Sequence, residues 1–266
     1  MEYQQQIGGR AEIMKILGDH LLKPTIIQEA NSYLKMSRQL AEIAPDCCFV
    51  YTNGELLEIR KCNSCHEPSE IMKIISMMDS DSFGNFLIMR DMAHGMNKPR
   101  IMDLKLGTRT HSDFISEEKK ALHIRKSALT TTSSLGIRLC GARFTRKDDR
   151  QETQWTKGLG KTMSNEKFWN AMKIFFDIPQ TQKVSVVRQL LKIRAVIESS
   201  PTHRYFGCSV LIIIDDEEEC NVHTKLIDFA SMARSEVDTP QYEDVDEGAM
   251  MGVNNLLQIL NAQGSS

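Results

Sequence analysis

A chain of 266 residues, 41% hydrophobic and 26% charged, has the length for a substantial core and the balance of an ordinary globular protein. No apolar run approaches the roughly 20 residues of a bilayer-spanning helix, so no stable membrane association is expected. The net charge of −2 conceals an uneven distribution: residues 100–173 hold 16 Lys/Arg against 8 Asp/Glu, and the rest of the chain is correspondingly acidic. A basic block of this kind attracts polyanions, and its few aromatics do not alternate with basic residues as base-stacking platforms do. Small, dense anions therefore fit it better than nucleic acid, for which no role is expected. The start of the chain lacks the basic and apolar regions of a secretion signal, and seven cysteines is an odd number. Free thiols in a reducing compartment, cytosol or nucleus, are the expectation.

From the N-terminus, residues 7–23 read as a hairpin with its turn at Leu17-Gly18-Asp19-His20 and a second strand Leu21-Leu22-Lys23 that Pro24 stops. Thr25 is placed to cap a helix over 26–40, with Ile26, Ile27, Ala30, Tyr33 and Leu34 on its buried side and Glu29 in its first turns. A strand lysine followed by a helix glutamate is how protein kinases hold ATP phosphates. Alone, the pair reads better as two solvent charges on a hairpin and a helix. Phe49 to Arg60 form a second hairpin around Thr52-Asn53-Gly54-Glu55. Cys62-Asn63-Ser64-Cys65-His66 spells a haem-attachment pattern, which belongs to exported proteins and is set aside. Zinc held with Cys47 and Cys48 is an alternative, and free thiols in a loop is the favoured reading.

Phe86-Leu87-Ile88-Met89 is a short strand ending at Arg90-Asp91-Met92. A polar crossover, 93–98, then leads to Pro99-Arg100-Ile101-Met102-Asp103-Leu104-Lys105-Leu106-Gly107. If that run is a strand, Asp103 and Lys105 share a face. Burying the pair is costly unless something is gained, so such a strand lines a site about as readily as it carries a structural ion pair. Gly107 permits a sharp exit. Ser116-Glu117-Glu118 starts a helix over 117–128, on which Lys119, His123 and Lys126 form one stripe and Ala121, Ile124 and Ala128 the opposite side. Leu135 to Phe144 reads as a strand, and Arg146 to Arg150 as a charged turn. Lys157-Gly158-Leu159-Gly160-Lys161-Thr162 resembles the tail of a P-loop, but Trp155 stands where the first glycine belongs. Lys157 and Lys161 are left as cations for a pocket. Residues 165–176 and 183–199 are amphipathic, with Val187, Leu190, Leu191 and Ile197 as core candidates in the second. Val210 to Ile214 is an apolar strand, Asp215 to Glu219 a solvated acidic tip, and Lys225-Leu226-Ile227-Asp228 a return strand ending in a carboxylate suited to Mg²⁺. Val253, Leu256, Leu257 and Leu260 mark a last helix, and Gly264-Ser265-Ser266 a disordered tail.

Pro99, Asp103, Lys105 and Gly107 match the P-x-x-x-D-x-K-x-G signature of the inositol polyphosphate kinases. Gly107-Thr108-Arg109-Thr110-His111-Ser112-Asp113 with Ser116-Glu117-Glu118-Lys119 resembles the inositol hexakisphosphate kinase branch most. Gly8-Gly9, Leu22-Lys23-Pro24, Glu29, Ser133 to Arg138, Ile227-Asp228-Phe229-Ala230 and Gly248 to Leu256 resemble it too, so the likeness spans nearly the whole chain. Arg10 stands where a histidine is common and Ala249 where an aromatic is.

The resemblance implies an α+β, two-lobed kinase-like fold. Residues 1–92 would form an antiparallel-sheet N-terminal lobe ending in a hinge, and 93–266 a larger C-terminal lobe with a basic segment at 107–165. It implies transfer of the γ-phosphoryl group of ATP, with Mg²⁺, to an inositol polyphosphate: the hexakisphosphate first, giving a pyrophosphate. A ring hydroxyl of a less phosphorylated inositol, as in a multikinase or a trisphosphate 3-kinase, is the alternative, and a non-catalytic inositol-phosphate binder the non-enzyme one. Lys23 and Glu29 would meet the ATP phosphates, Asp91 and the Met92 backbone the ribose and adenine, Ser209 the phosphates, and Asp228 the metal. The family's Ser-Ser-Leu-Leu element reads Cys208-Ser209-Val210-Leu211 here. Asp103 would accept or orient the proton of the attacking oxygen, and Lys105 would neutralise the transferred phosphoryl group. Lys119, His123, Lys126, Lys157 and Lys161 would grip the acceptor, and a monomer is expected.

Overall fold

The computed structural model describes residues 6–7, 15–77, 84–147, 150–234 and 242–262. Gly8-Gly9, Arg10, the start of the first hairpin, two residues of the 146–150 turn and the Gly264–Ser266 tail lie outside them.

The chain begins with β1 (Lys15–Leu17) and β2 (His20–Thr25), then α1 (Ile27–Leu34) and α2 (Arg38–Ile43). β3 (Cys47–Thr52), β4 (Glu55–Glu58), α3 (Pro68–Ser76) and β5 (Asn85–Arg90) follow, completing an antiparallel sheet in the order β1-β2-β5-β3-β4. Pro24 does not stop β2; it pairs opposite Phe86 of β5, past the described end of β1. The helix expected over 26–40 is two helices, because Ser37 caps a new one by accepting the Leu40 N–H at 3.2 Å. Ile26 is consequently exposed at the mouth of α1 rather than buried. Asn53 and Gly54 turn β3 into β4 with φ of 52° and 82°, as a two-residue hairpin requires.

The second half opens with β6 (Pro99–Leu106), α4 (Glu117–Ala128), α5 (Thr131–Leu135), β7 (Ile137–Thr145) and β8 (Glu152–Trp155). Next come α6 (Lys157–Thr162), α7 (Asn165–Phe175), α8 (Gln180–Glu198) and β9 (His203–Arg204). β10 (Ser209–Asp215), β11 (Val222–Ile227), β12 (Ala233–Arg234) and α9 (Glu247–Ala262) end it. The second sheet runs β11-β10-β6-β7-β8, with β6 at its centre, and β9 pairs with β12. One hydrophobic core joins the halves, running from Tyr33, Val50 and Leu87 through Met102, Leu104 and Leu106 to α7, α8 and α9.

Further sequence expectations change in this half. Leu135 ends α5 rather than opening a strand, and Trp155 belongs to β8, which was not anticipated. On α8 the buried stripe is Gln182, Val186, Leu190, Ile193 and Ile197, so Val187 is half-buried and Leu191 exposed. α4 has no buried residue, and Ala121, Ile124 and Ala128 face solvent. The 215–219 tip is more than a solvated turn. Asp215 is fully buried and accepts the Asn97, Lys98 and Glu217 amides. Asp216 pairs with Arg100, which is only 1% exposed and also donates to the Phe175 and Thr145 carbonyls.

α9 is locked onto the second sheet by glycine contacts. A Cβ on Gly252 would stand 2.2 Å from the Gly136 carbonyl oxygen and 2.7 Å from Leu106 Cδ1. Alanine is the better helix former by about 1 kcal/mol, so it is the close approach that requires glycine here. We expect Gly252→Ala to cost about 2–3 kcal/mol and lower the thermal midpoint by roughly 5–10 °C, measured by calorimetry. Gly158→Ala, in α6 where only Thr156 Oγ1 comes near at 3.5 Å, should leave it unchanged or raise it slightly.

Candidate functional site

The parity of β6 makes the site. Met102, Leu104 and Leu106 are fully buried in the main core, so the alternate residues Asp103 and Lys105 project from the other face. Asp103 is flanked by Leu211 of β10 and Gly141 of β7, and β7 carries an extra residue, Cys140, at that point. The carboxylate is 6% exposed, and its Oδ1 has no hydrogen-bond partner among the described residues; neither has the buried Ser209 hydroxyl near it. Burial pushes the Asp103 pKa up to about 6, with Asp228 adding to the rise and Lys105 and Lys157 opposing it.

Lys105 donates to the Gly207 carbonyl at 2.6 Å and lies 3.6 Å from Asp228 Oδ2. Burial favours its neutral amine, but Asp228 and Asp103 outweigh that and raise its pKa. Asp228 follows the last residue of β11 with φ 66°, a left-handed conformation that an L residue holds only under constraint. The constraint is visible: Ser32 of α1 donates to the Phe229 carbonyl at 3.1 Å, and Tyr33 meets the Phe229 ring edge-on at 5.6 Å. The other Asp228 oxygen, Oδ1, sits 3.4 Å from Lys23 Nζ, and Lys23 donates to Glu29 Oε1 at 2.9 Å. Burial works against all these charges. Glu29 and Asp228 nevertheless hold Lys23 protonated above the ordinary lysine range, and Lys23 and Lys105 hold Asp228 below the usual carboxylate value. Thr25, expected to cap the helix with its side chain, donates to Glu29 Oε2 instead.

Five charges thus alternate in sign along one line: Glu29, Lys23, Asp228, Lys105, Asp103. They come from a strand and helix of the first half and, in the second, from β6 and the residue that follows β11, with β10 between those two strands in the sheet. The structure brings together five sequence-proposed residues that are up to 205 positions apart. Ser209 joins them as the partner of both Lys105 and Ile227 in the sheet register.

The remaining proposed residues lie further out. Asp91 accepts the Ala93 N–H at 2.9 Å and donates its own amide to the Asp19 carbonyl, which shapes the connection between the two sheets. Met92 packs beside Ala93 and Ile101 in that connection. Lys157 is exposed, yet close enough to act on the charge of Asp103. Lys161 is exposed one helical turn on. His123 turns inward from α4, its Nδ1 3.2 Å from Thr110 Oγ1 and its ring 5.7 Å from His111. Burial lowers its pKa, with His111 and Lys126 adding to the effect, so the ring is neutral at pH 7. Lys119 and Lys126 face solvent, and among the described residues no hydrogen bond or ion pair joins them or Lys161 to the charged line. Gly160 approaches the Leu139 carbonyl so closely that a Cβ would stand 2.0 Å away, which explains the glycine without a phosphate.

One cation was quoted in the sequence without a role. Arg138 sits opposite Lys105 in the β6–β7 register, with its Nη1 buried and unpartnered among the described residues. Strand pairing, invisible to a linear motif, is what places it there.

A family model described as inositol polyphosphate kinase matches residues 86–261. Inositol hexakisphosphate kinase 3 of Mus musculus is 31% identical over 218 residues, 74% of this chain and 55% of its own length. The Homo sapiens protein of the same name is 28% identical over 244 residues, 79% of this chain and 59% of its own. The chain therefore spans a little over half the length of these curated relatives. Among solved structures, the inositol phosphate multikinase Ipk2 of S. cerevisiae, in complex with ADP and Mn²⁺, superposes with a TM-score of 0.69 at 21% identity. That match covers 93% of this chain and 100% of the other, and it shows the two-lobed kinase-like fold. With the profile match covering most of the chain and the signature strand at the centre of the second sheet, the chain belongs to the inositol polyphosphate kinase family.

Proposed function

We propose that this protein transfers the γ-phosphoryl group of ATP to an inositol polyphosphate, with the hexakisphosphate as acceptor and an inositol pyrophosphate as product. The observation that carries this reading is the alternating line of charges ending in Asp103, whose free carboxylate oxygen lies beside a lysine and a basic chain segment. Phosphoryl transfer asks for alignment and charge neutralisation rather than covalent help, and this line is built for both.

Asp228 suits a Mg²⁺ ion. Its side chain is 37% exposed, and a single protein carboxylate completed by substrate phosphates is the usual magnesium arrangement. The ion would neutralise the nucleotide's phosphate oxygens. Lys23, held in place by Glu29, binds those phosphates from the first sheet, and Asp91 with the Met92 backbone takes the ribose and adenine. Lys105 then stands between the nucleotide side and Asp103, placed to draw charge from the phosphoryl group in transit. Ser209 offers its hydroxyl to the same phosphates. Lys157 and Lys161, with Lys119, His123 and Lys126 further out, grip the acceptor's phosphates. Its thiols would stay reduced in cytosol or nucleus, where we place its action.

The role of Asp103 depends on the acceptor. A ring hydroxyl must lose a proton to attack, whereas an oxygen of a phosphate group is already largely ionised near neutrality. Asp103 acts as general base for the first and orients the second.

Incubating the protein with Mg²⁺-ATP and each inositol phosphate, then separating products by charge, tests the proposal. A species more charged than the hexakisphosphate is expected. Turnover of only tris- or tetrakisphosphates would overturn the choice of acceptor, and no ATP consumption with any acceptor would overturn transfer itself. We expect Lys105→Ala to lower kcat/KM by at least about 10²–10³-fold while circular dichroism stays native. With a hydroxyl acceptor, kcat/KM should rise with pH through about 6, because Asp103 must be deprotonated and burial has raised its pKa to that value. Asp103→Asn should remove that limb and cost about 10²–10⁴-fold with a hydroxyl acceptor, and markedly less with the hexakisphosphate.

A further inference from the structure

Away from the line of charges, four metal-ligating side chains converge in the first sheet. His20, Cys48, Cys62 and Cys65 present ligand atoms that all lie within 4.8 Å of one another. His20 Nε2 is 3.5 Å from Cys48 Sγ, 3.3 Å from Cys62 Sγ and 3.5 Å from Cys65 Sγ, and the last two sulfurs are 3.4 Å apart. Tetrahedral zinc, with bonds of about 2.3 Å to sulfur and about 2.0–2.1 Å to nitrogen, sets its donors about 3.8 Å apart between sulfurs and about 3.6 Å between sulfur and nitrogen. The four donors come from three elements, namely the start of β2, β3 and the 59–67 loop, and surround one point.

The surroundings are those of a metal site. The Cys65 N–H donates to the Cys62 carbonyl at 3.2 Å and the Cys62 N–H to Cys65 Sγ at 3.4 Å, so the C-x-x-C turn presents both sulfurs on one side. His20 is fully buried, and its Nδ1 donates to Asp19 Oδ1 at 2.7 Å, which turns the Nε2 lone pair toward the sulfurs. Ser64 donates to the other Asp19 oxygen at 2.6 Å, so one carboxylate braces both the imidazole and the C-x-x-C turn. Three thiols crowd a single nitrogen lone pair that can accept only one S–H. A free-thiol cluster would give that nitrogen to one S–H and leave the others only weak contacts, among the sulfurs and with Ser64 Oγ at 3.4 Å. A Cys62–Cys65 disulfide would bring its sulfurs to about 2.05 Å and leave Cys48 and His20 without a purpose.

We propose that His20, Cys48, Cys62 and Cys65 bind one structural Zn²⁺, which displaces three thiol protons to solvent on entry. All four positions are filled by protein, so the ion is structural rather than catalytic. Of the set considered from sequence, Cys47 drops out. Neighbouring strand residues face opposite ways, and its thiol lies in the main core, donating to the Phe49 carbonyl. The buried His20 replaces it, with 42 residues separating it from Cys62. The ion staples the 59–67 loop to β2 and β3. It also holds the 18–20 turn, where the Asp19 carbonyl accepts the Asp91 amide of the inter-sheet connection. Lys23 is three residues along the same strand.

Metal analysis of the purified, tag-free chain in metal-free buffer tests this, with and without prior incubation with one equivalent of Zn²⁺. About one zinc per chain should be retained, and a mercurial should release it as the thiols react. Cobalt in its place should show tetrahedral ligand-field and thiolate charge-transfer bands. Cys62→Ser and Cys65→Ser should each reduce retained zinc at least tenfold, and Asp19→Asn should weaken its affinity about 10–100-fold. Cys220→Ser, at an exposed cysteine outside the cluster, should retain it. If a variant does not fold, the wild-type measurement decides. Less than a tenth of an equivalent retained after zinc incubation, or a Cys62–Cys65 disulfide in the mass spectrum, would overturn the proposal.

Discussion

Five buried or half-buried charges that alternate in sign are the constraint around which this molecule is arranged. Withdrawing any one of them from water costs several kcal/mol, and the loss is offset only when the neighbours are opposite in sign and well placed. Glu29, Lys23, Asp228, Lys105 and Asp103 meet that condition jointly: each interior member lies between two opposite charges. The same balance leaves the group responsive to an anion, because a polyphosphate entering beside Lys23 and Lys105 competes with Asp228 for both. In the proposed function, a metal ion held by Asp228 would compensate for that competition. The resting ion pairs and the bound state are therefore alternative solutions to one electrostatic problem.

Much of the backbone can be understood as serving this line. β6 is central in its sheet and covered on both faces, so one parity supplies core and the other supplies Asp103 and Lys105. Asp228 is held in a left-handed conformation by α1, the same helix that carries Glu29, so the two halves of the site are mechanically joined as well as electrostatically. The Gly136–Gly252 contact and the Arg100–Asp216 pair fix the second sheet against its helices from the other side. The proposed zinc staple would brace the first sheet in the same sense, behind the strand that presents Lys23.

The legible part of the sequence was the part with local period or fixed chemistry. The Asn53-Gly54 turn, the Ser116 cap, α9 and the alternation of β6 follow from short-range rules. Asp103, Lys105, Lys23, Glu29 and Asp228 were found as motif positions, but their order along one charged line depends on pairings between distant strands. What failed to show has a common cause, since burial is decided by tertiary neighbours. Ala121 and Ile124 look like an inward face, yet α4 turns Lys120, His123 and Ser127 inward and leaves them outside. Asp215 reads as a solvated tip and is buried, its carboxylate accepting the Asn97 and Lys98 amides of a loop that no local pattern links to it as well as the nearby Glu217 amide. His20 carried no signal as a partner of Cys62: the β2–β5–β3 pairing brings His20 to Cys48, and the loop after β4, tied to the Cys48 carbonyl through the Ile59 and Arg60 amides, returns Cys62 to both.

The central claim is that ATP and an inositol polyphosphate meet at Asp103 and Lys105. A crystal structure with a non-hydrolysable ATP analogue, Mg²⁺ and inositol hexakisphosphate tests it most directly. The account predicts a γ-phosphate in contact with Lys105 and an acceptor phosphate oxygen in line with it beside Asp103. An acceptor bound only to the outward lysines of α4, with Asp103 and Lys105 still paired to protein alone, would contradict it.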